Sequence, residues 1–260
     1  MKIALCQLDS VWEIKQKNFE RVEKLITNAK KQNADVFVLP EMFATGFTMR
    51  NNEAGEPRSN SITLNFLSRI ASENRMWVIG TLIEKTKRGN KNAAHIFNRN
   101  GRSVGGYYKM HLFPLTQEEQ MFLPGSKTPL VDIDGISCSV AICFDLRFPE
   151  MFRAISRRGA TMIFVLANWP ENRREHWLVL LKARAIENQC YVVGVNRTGS
   201  GDGIKYSGDS RVFDPFGREI AAAGREEGLL FAEIKKELVG EIRSKYKFLP
   251  RKWKIVKECH

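Results

Sequence analysis

The chain has 260 residues, of which 43% are hydrophobic and 27% are charged, a composition typical of a globular protein and unlike that of a disordered or fibrous one. Its longest uncharged run, residues 159–170, is much shorter than the roughly 20 apolar residues that a transmembrane helix needs, so we expect no membrane partner. The formal net charge of +12 raises the question of a nucleic-acid partner.

Half of that net charge lies near the C-terminus. From residue 235 to residue 260 the chain has nine Lys or Arg residues and three Glu residues. Neither a Gly-aromatic RNA-binding signature nor a zinc-finger spacing accompanies them. We therefore interpret this region as a solvated C-terminal helix with a basic tail, and we expect no nucleic-acid partner.

The N-terminus and the cysteines indicate a cytoplasmic protein with reduced thiols. The chain reaches Asp9 too early for the apolar region of a signal peptide and offers no small-residue cleavage site. The cysteines are odd in number and form no CxxC pair, which argues against a disulfide framework. They are Cys6, Cys138, Cys143, Cys190 and Cys259. The four histidines lack the spacing of zinc ligands, so we expect no metal.

Short apolar or alternating runs, bounded by Gly, Asn or Asp, predict strands along the whole chain. They cover residues 3–8, 36–39, 76–83, 94–98, 103–108, 136–142, 162–166, 191–195, 210–213 and 229–233. The spacing of apolar residues predicts helices around 19–29, 64–71 and 177–188.

Two turn sequences and one proline complete the pattern. Residues 98–101 and 214–217 predict hairpin turns, and Pro149 is typical of a helix start. Strand-helix-strand units alternate with hairpins, and no linker or repeat divides the chain. The sequence therefore predicts a single α/β domain over residues 1–260, with mixed sheets and a basic tail from about residue 235.

Three reactive groups follow predicted strands. Glu41 follows the run 36–39, Lys109 follows 103–108, and Cys143 follows 136–142. Strand ends are where α/β proteins tend to place their sites. Taken singly, each has an ordinary structural explanation: a surface carboxylate, a solvated lysine and a small buried thiol.

Taken together, the segments that hold these groups resemble a known family. Residues 39–43 (LPEMF), 108–113 (YKMHLF) and 142–150 (ICFDLRFPE) are similar to the three catalytic motifs of the nitrilase superfamily of carbon-nitrogen hydrolases. The similarity continues to about residue 235, and Phe144 stands where many relatives have Tyr. The resemblance implies a four-layer αββα sandwich with two mixed β-sheets.

The same resemblance implies a nucleophile, Cys143, a general base, Glu41, and an electrostatic partner, Lys109, with no cofactor. These roles agree with thiol chemistry, because a free thiol is only a few per cent thiolate at neutral pH and needs a neighbouring base or cation. Lys109 and the backbone N–H of Phe144 are the implied donors to the oxyanion that forms during attack.

A second glutamate is implied between the Lys and Cys motifs, six residues before the Pro-Gly at 124–125. This spacing selects Glu118, whose implied role is to position the substrate and support the base; Glu119 is the neighbouring alternative. His111 raises the question of a Cys-His enzyme, but such an enzyme has no use for Glu41 or Lys109. We interpret His111 as structural and the four other cysteines as inert.

Within the superfamily, residues 39–47, 167–170 and 183–191 most resemble the ω-amidase-like bacterial branch, which hydrolyses ω-amides of dicarboxylates such as 2-oxoglutaramate. The carboxylate of such a substrate needs a cationic partner, and Arg147 and Arg173 are the candidates. The structural alternative for both arginines is an ion pair, for example with Asp145 or Glu150.

Three further residues are candidates for the wall of the pocket, namely Phe47, Asn168 and Trp169. The expected partner is a small amide, and the expected assembly is a homodimer that buries the helix after Cys143 and the C-terminal segment. That segment has apolar residues that need a surface to pack on. They are Trp253, Ile255 and Val256.

Several alternatives remain open at this point. A nitrilase, an N-carbamoyl amidohydrolase, an aliphatic amidase or an acyl transferase could use the same three residues. A protein of another class, a non-catalytic basic binding protein, could share the fold and act through its tail, although it would have no physical need for Glu41, Lys109 and Cys143 together.

Overall fold

A computed structural model describes residues 1–249 of the chain. Residues 250–260 of the predicted basic tail, with Trp253, Ile255, Val256 and Cys259, lie outside the described residues. The helices are α1 (Lys15–Lys31), α2 (Asn51–Ala54), α3 (Ile62–Asn74), α4 (Glu118–Met121), α5 (Pro149–Arg157), α6 (Arg174–Asn188) and α7 (Leu238–Tyr246). Short 3-10 helices cover Arg58–Asn60, Cys143–Arg147 and Glu171–Arg173.

The strands are numbered in chain order. They are β1 (Lys2–Gln7), β2 (Val36–Val38), β3 (Glu56–Pro57), β4 (Trp77–Thr86), β5 (Gly89–Phe97), β6 (Ser103–Tyr108), β7 (Val131–Ile133), β8 (Ile136–Ile142), β9 (Met162–Ala167), β10 (Tyr191–Asn196), β11 (Thr198–Gly201), β12 (Ile204–Ser207), β13 (Arg211–Phe213), β14 (Glu219–Ala222) and β15 (Gly228–Glu233).

The strands form two mixed sheets and one separate hairpin. The first sheet has the order β15-β1-β2-β4-β5-β6, with β3 beside β4, and its strands β1, β2 and β4 are parallel. The second has the order β14-β13-β10-β9-β8-β7, with a parallel centre of β8, β9 and β10. Strands β11 and β12 form the hairpin.

Alternation along the strands explains the layers. In β1, Ile3 and Leu5 join the core between the two sheets, whereas Ala4 and Cys6 face the core shared with α1 and α3. On the far side, α5 and α6 pack against the second sheet. The order helix, sheet, sheet, helix is the predicted αββα sandwich, and both central layers are mixed sheets as expected.

Eight of the ten predicted strands are confirmed to within one residue at each end, whereas β4 continues three residues beyond its predicted end and α1, α3 and α6 extend up to four residues beyond theirs. Strand β5 begins at Gly89 and not at residue 94, because the polar residues 89–92 conceal its start. The 2- to 4-residue strands β3, β7, β11, β12 and β14 were not predicted, since such runs carry little periodicity. Helix α7 is confirmed as a helix, but its Val239 and Ile242 are buried, so it is not simply solvated.

Candidate active site

The three reactive groups of the sequence motifs meet at the carboxyl ends of strands from both sheets. Glu41 follows β2 and Lys109 follows β6 in the first sheet, whereas Cys143 follows β8 and Asn168 follows β9 in the second. Strand β6 is antiparallel to β5, and β5 to β4, so β6 runs in the same direction as β2. The strand directions therefore bring these residues to one edge of the sandwich.

The Glu41 carboxylate is fully buried and fixed by three donors. Its Oε1 accepts from Asn92 Nδ2 at 2.7 Å and from Lys109 Nζ at 3.1 Å. Its Oε2 accepts from the backbone N–H of Asn168 at 2.9 Å. Pro40 ends the strand before it, and Met42 turns the chain after it with a φ of 44°. These three donors and the turn at Met42 thus hold the Glu41 carboxylate in one orientation between the two sheets.

Lys109 and Glu118 form the second half of a buried charge cluster. The Lys109 ammonium donates to both oxygens of Glu118 at 2.9 Å, and Glu118 Oε2 also accepts from the backbone N–H of Phe113 at 2.6 Å. Burial disfavours the ammonium, but the carboxylates of Glu118 and Glu41 outweigh it and raise the pKa of Lys109. Lys109 is therefore a permanent cation beside two carboxyl groups.

Cys143 lies at a sharp turn between β8 and a 3-10 helix. Its φ of 46° is in a region that residues with side chains seldom adopt, and its thiol lines the same cavity as Lys109. Burial and the neighbouring Glu41 carboxylate raise the pKa of this thiol well above its usual range, although Lys109 opposes them. The free site therefore holds a neutral thiol next to a carboxylate that can accept its proton.

Phe144 is the second residue of the 3-10 helix that starts at Cys143. The first N–H groups of a helix have no partner within it, so the Phe144 N–H, directly after Cys143, is not engaged by the helix that it begins. Its ring packs edge-on against Phe113 and Phe148, with centroid distances of 5.2 and 5.4 Å. Phe in place of Tyr thus leaves the ring well packed.

A cavity opens beside the Cys143 thiol, and all five candidate pocket residues line it. They are Phe47, Arg147, Asn168, Trp169 and Arg173. The role of Asn168 differs from the simple wall that the sequence suggested, because its backbone N–H binds the Glu41 carboxylate and its Nδ2 donates to the Glu41 carbonyl at 2.7 Å. Phe47 lies under the Lys109 ammonium, 5.2 Å from ring centroid to Nζ.

The two arginines of this cavity lie over aromatic rings. Arg147 is 5.0 Å from the Trp169 ring and donates to His176 Nδ1 at 3.0 Å, and Arg173 is 5.2 Å from the Phe113 ring. Within residues 1–249 neither forms an ion pair with a carboxylate, so the alternative of pairing between Arg147 and Asp145 or Glu150 is not observed. Burial and the nearby Arg173 cation lower the pKa of Arg147.

Two residues of the site carried no sequence motif. Asn92 donates to Glu41 and, at 3.3 Å, to Glu118 Oε1, and its carbonyl accepts from the Lys109 N–H. Tyr206 in β12 lines the cavity, and the guanidinium carbon of the buried Arg197 lies over its ring, 4.5 Å from the ring centroid. Neither residue had a signal in the sequence, because Asn92 lies before the predicted strand 94–98 and no strand was predicted at Tyr206.

The remaining candidates fall outside this cavity. His111 does not reach the thiol; it binds Asp145 through Nδ1 at 2.8 Å and stacks on Phe148, which agrees with a structural role. Cys6, Cys138 and Cys190 are buried in the core, and burial raises the pKa of Cys190 to about 12. In the described part of the chain, no three His, Cys, Asp or Glu residues are grouped to hold a metal, and no helix is long and apolar enough to cross a membrane.

Comparisons with known proteins agree with this geometry. The sequence model of the carbon-nitrogen hydrolase family matches residues 2–244. The chain is 35% identical to 2-oxoglutaramate amidase of Bacillus subtilis (strain 168), over 93% of both chains. It is 34% identical to omega-amidase YafV of Escherichia coli (strain K12), over 95% of this chain and 94% of the relative.

Solved structures give the same result. Saccharomyces cerevisiae Nit3, described as a member of branch 10 of the nitrilase superfamily, superposes with a TM-score of 0.87 and 29% identity, over 95% of this chain and 94% of Nit3. XC1258 from Xanthomonas campestris, a CN-hydrolase superfamily protein, gives a TM-score of 0.91 and 28% identity, over 99% and 98% of the two chains.

Proposed function

The chain belongs to the carbon-nitrogen hydrolase family, and from this premise we propose that it is an ω-amidase, an enzyme that hydrolyses the terminal amide of a dicarboxylate monoamide to carboxylate and ammonia. The names of the two relatives given above, 2-oxoglutaramate amidase and omega-amidase, describe enzymes that act on substrates of this kind. The family resemblance of the sequence motifs is thereby confirmed, whereas the roles of individual residues are part of the proposal.

One observation carries the choice of substrate. Arg147 and Arg173 both line the cavity that contains the Cys143 thiol, and neither pairs with a carboxylate among the described residues. Two neighbouring cations in an aromatic wall repel each other and favour an anion between them. The carboxylate of an ω-amide supplies that charge, and a neutral amide or a nitrile does not.

The first half of the reaction forms a thioester. The Cys143 sulfur attacks the amide carbon, and its proton passes to the Glu41 carboxylate. The negative charge on the carbonyl oxygen is stabilised by the Lys109 ammonium, which exchanges one of its carboxylate contacts for it, and by the Phe144 N–H. The C–N bond then breaks, and Glu41 returns the proton to the departing nitrogen, which leaves as ammonia.

The second half restores the enzyme. A water molecule gives a proton to Glu41 and attacks the thioester carbon. The C–S bond breaks, the acid product leaves, and the proton returns to the Cys143 sulfur. Glu118 keeps Lys109 in place throughout. The sum is amide plus water giving carboxylic acid plus ammonia, with no other reactant.

The substrate proposal is tested by comparing glutaramate with pentanamide, which has no carboxylate. We expect Arg147→Met and Arg173→Met each to lower kcat/KM for glutaramate by about 10- to 100-fold, the value of a charged hydrogen bond, and to change kcat/KM for pentanamide less than about threefold. Equal losses on both substrates contradict carboxylate binding and favour an aliphatic amidase.

We also propose that the enzyme is a homodimer. Support comes from α6, which packs beside α5 and exposes the apolar side chains of Val179 and Ile186, 62% and 44% accessible. Light scattering of the purified protein tests this: a mass near twice the chain mass of 29.8 kDa is expected, and a mass of one chain contradicts it.

A further inference from the structure

The geometry points to Asp145 as the positioning residue that sets the distance between the Lys109 ammonium and the Cys143 thiol. This inference rests on the proposed function, since it concerns the two groups that act together on the amide. Asp145 is fully buried and does not line the cavity, so it acts through its neighbours and not on the substrate.

Four donors converge on the two oxygens of the Asp145 carboxylate. Oδ1 accepts from the backbone N–H of His111 at 3.0 Å and from its ring Nδ1 at 2.8 Å. Oδ2 accepts from the Tyr107 hydroxyl at 2.7 Å and from the backbone N–H of Ile142 at 2.9 Å. A carboxylate only accepts, so the ring proton of His111 lies on Nδ1.

These donors come from the two segments that carry the reactive groups. Tyr107 and His111 flank Lys109 at the end of β6 in the first sheet, and Ile142 directly precedes Cys143 at the end of β8 in the second. The Tyr107 hydroxyl also accepts from the backbone N–H of Met110 at 3.0 Å, which closes the turn around Lys109. One side chain thus joins the lysine turn to the cysteine turn across the interface between the sheets.

The arrangement requires a carboxylate and not an amide. If Asn at this position placed its oxygen at Oδ2, its NH₂ would face the backbone N–H of His111. If it placed its oxygen at Oδ1, the NH₂ would face the backbone N–H of Ile142. In either orientation one buried donor loses its acceptor, and the turn to which it belongs must move. The affected turn holds either Lys109 or Cys143.

Asp145→Asn tests the inference on any amide that the wild-type enzyme hydrolyses. We expect kcat to fall at least 100-fold with KM within about threefold, because the pocket that binds the substrate is built from other residues. The matched control is Glu56→Gln. Glu56 is also a buried carboxylate with several donors, namely Lys15, Ser61 and Thr63, but it serves the start of α3. We expect a similar fall in melting temperature with kcat within about threefold of wild type.

Tyr107→Phe is the second variant, and it keeps the inference testable if Asp145→Asn does not fold. It removes only the hydroxyl that joins the lysine turn to Asp145, and we expect kcat to fall at least fivefold. The double variant should lose little more kcat than Asp145→Asn alone, since both changes break the same link between the lysine turn and Asp145. If either folded variant keeps wild-type kcat while its melting temperature falls, Asp145 is merely structural and the inference is overturned. A wild-type enzyme that hydrolyses no amide overturns the proposed function instead.

Discussion

At the scale of single residues, the site is a buried cluster of two carboxyl groups and one ammonium. Lys109 lies between Glu41 and Glu118, and all three are at most 1% exposed. Burying such charges is unfavourable unless each has partners, which Asn92 and the backbone N–H groups provide. Because a buried charge cluster is a weak means of stabilising a fold, its presence supports the catalytic roles proposed for Glu41, Lys109 and Glu118.

The two adjacent glutamates 118 and 119 provide a direct test of this cluster. Glu118 is buried against Lys109, whereas Glu119 is exposed. Glu118→Gln replaces one of the two Glu118 oxygens that accept from the ammonium by an NH₂ group, so we expect kcat to fall by about 100-fold or more. Glu119→Gln should keep wild-type kcat. Steady-state ammonia release measures both, and equal effects of the two changes would contradict the assignment of Glu118.

The state of the Cys143 thiol gives a pH prediction. Burial and the Glu41 charge raise its pKa, so the neutral thiol persists to higher pH than in free cysteine. The difference in absorbance at 240 nm between wild type and Cys143→Ser should therefore show no thiolate step between about pH 6 and 9. A step with its midpoint below pH 7 would instead indicate a preformed thiolate ion pair.

The sequence motifs predicted the main reactive residues but not the residues that hydrogen-bond to them. Glu41, Lys109, Glu118 and Cys143 come together in the structure as the motifs suggested. Asn92 could not be predicted, because it lies outside the predicted strand 94–98 and nothing in the sequence says that its side chain faces Glu41. The Asp145 links were equally hidden, since they depend on how two strand ends meet.

At the scale of elements, strand ends and short turns place the site, and the helices hold the sheets that carry it. Helix α3 packs on the first sheet, close to the strands that lead to Glu41 and Lys109. Its N-terminus is capped by Ser61, whose Oγ accepts from the backbone N–H of Leu64 at 2.9 Å and whose hydroxyl also donates to the buried Glu56.

Removing this cap should weaken the element without touching the chemistry. Ser61→Ala leaves the Leu64 N–H without its acceptor, and we expect the free energy of unfolding to fall by about 1 kcal/mol, measured by urea denaturation. Ser72→Ala, at an exposed position of the same helix, is the control and should change it by less than about 0.5 kcal/mol. No difference between the two variants would contradict the capping role.

Elements differed in how well they could be predicted. Strand β9 is a continuous buried apolar run and β8 is buried at every residue except Ser137, and the bounds of both were predicted to within one residue. The β11-β12 hairpin, which carries Tyr206 into the cavity, includes the glycine-rich run Thr198–Gly201. Its strands pair with each other, apart from an isolated bridge between Tyr206 and Pro170. Its strands had no periodicity to detect because they belong to neither sheet.

At the scale of the whole molecule, the αββα sandwich followed from the family resemblance, whereas the residues alone indicated only an α/β fold with mixed sheets. Periodicity reports which face of an element is buried, but not which element covers it. The pairing of β1 with β15, at opposite ends of the chain, is an example of a contact that no local pattern reveals.

The net charge of +12 gives a prediction for the whole protein. We expect no nucleic acid to remain bound, because half of the positive charge lies near the C-terminus and neither an RNA-binding signature nor a zinc-finger spacing accompanies it. The ratio of absorbance at 260 and 280 nm should be that of pure protein, before and after a wash in 1 M salt. A raised ratio that falls after the wash would favour the binding-protein alternative.

The most direct test of the account is ammonia release from 2-oxoglutaramate by the wild-type enzyme and by Cys143→Ala. Glutamine, a neutral aliphatic amide, an N-carbamoyl amino acid and a nitrile complete the panel. We predict turnover of 2-oxoglutaramate above that of every other compound, with a loss of at least about 1000-fold in Cys143→Ala. Equal release by the two proteins, or no release from any compound, would contradict the claim that Cys143 is the nucleophile of an ω-amidase.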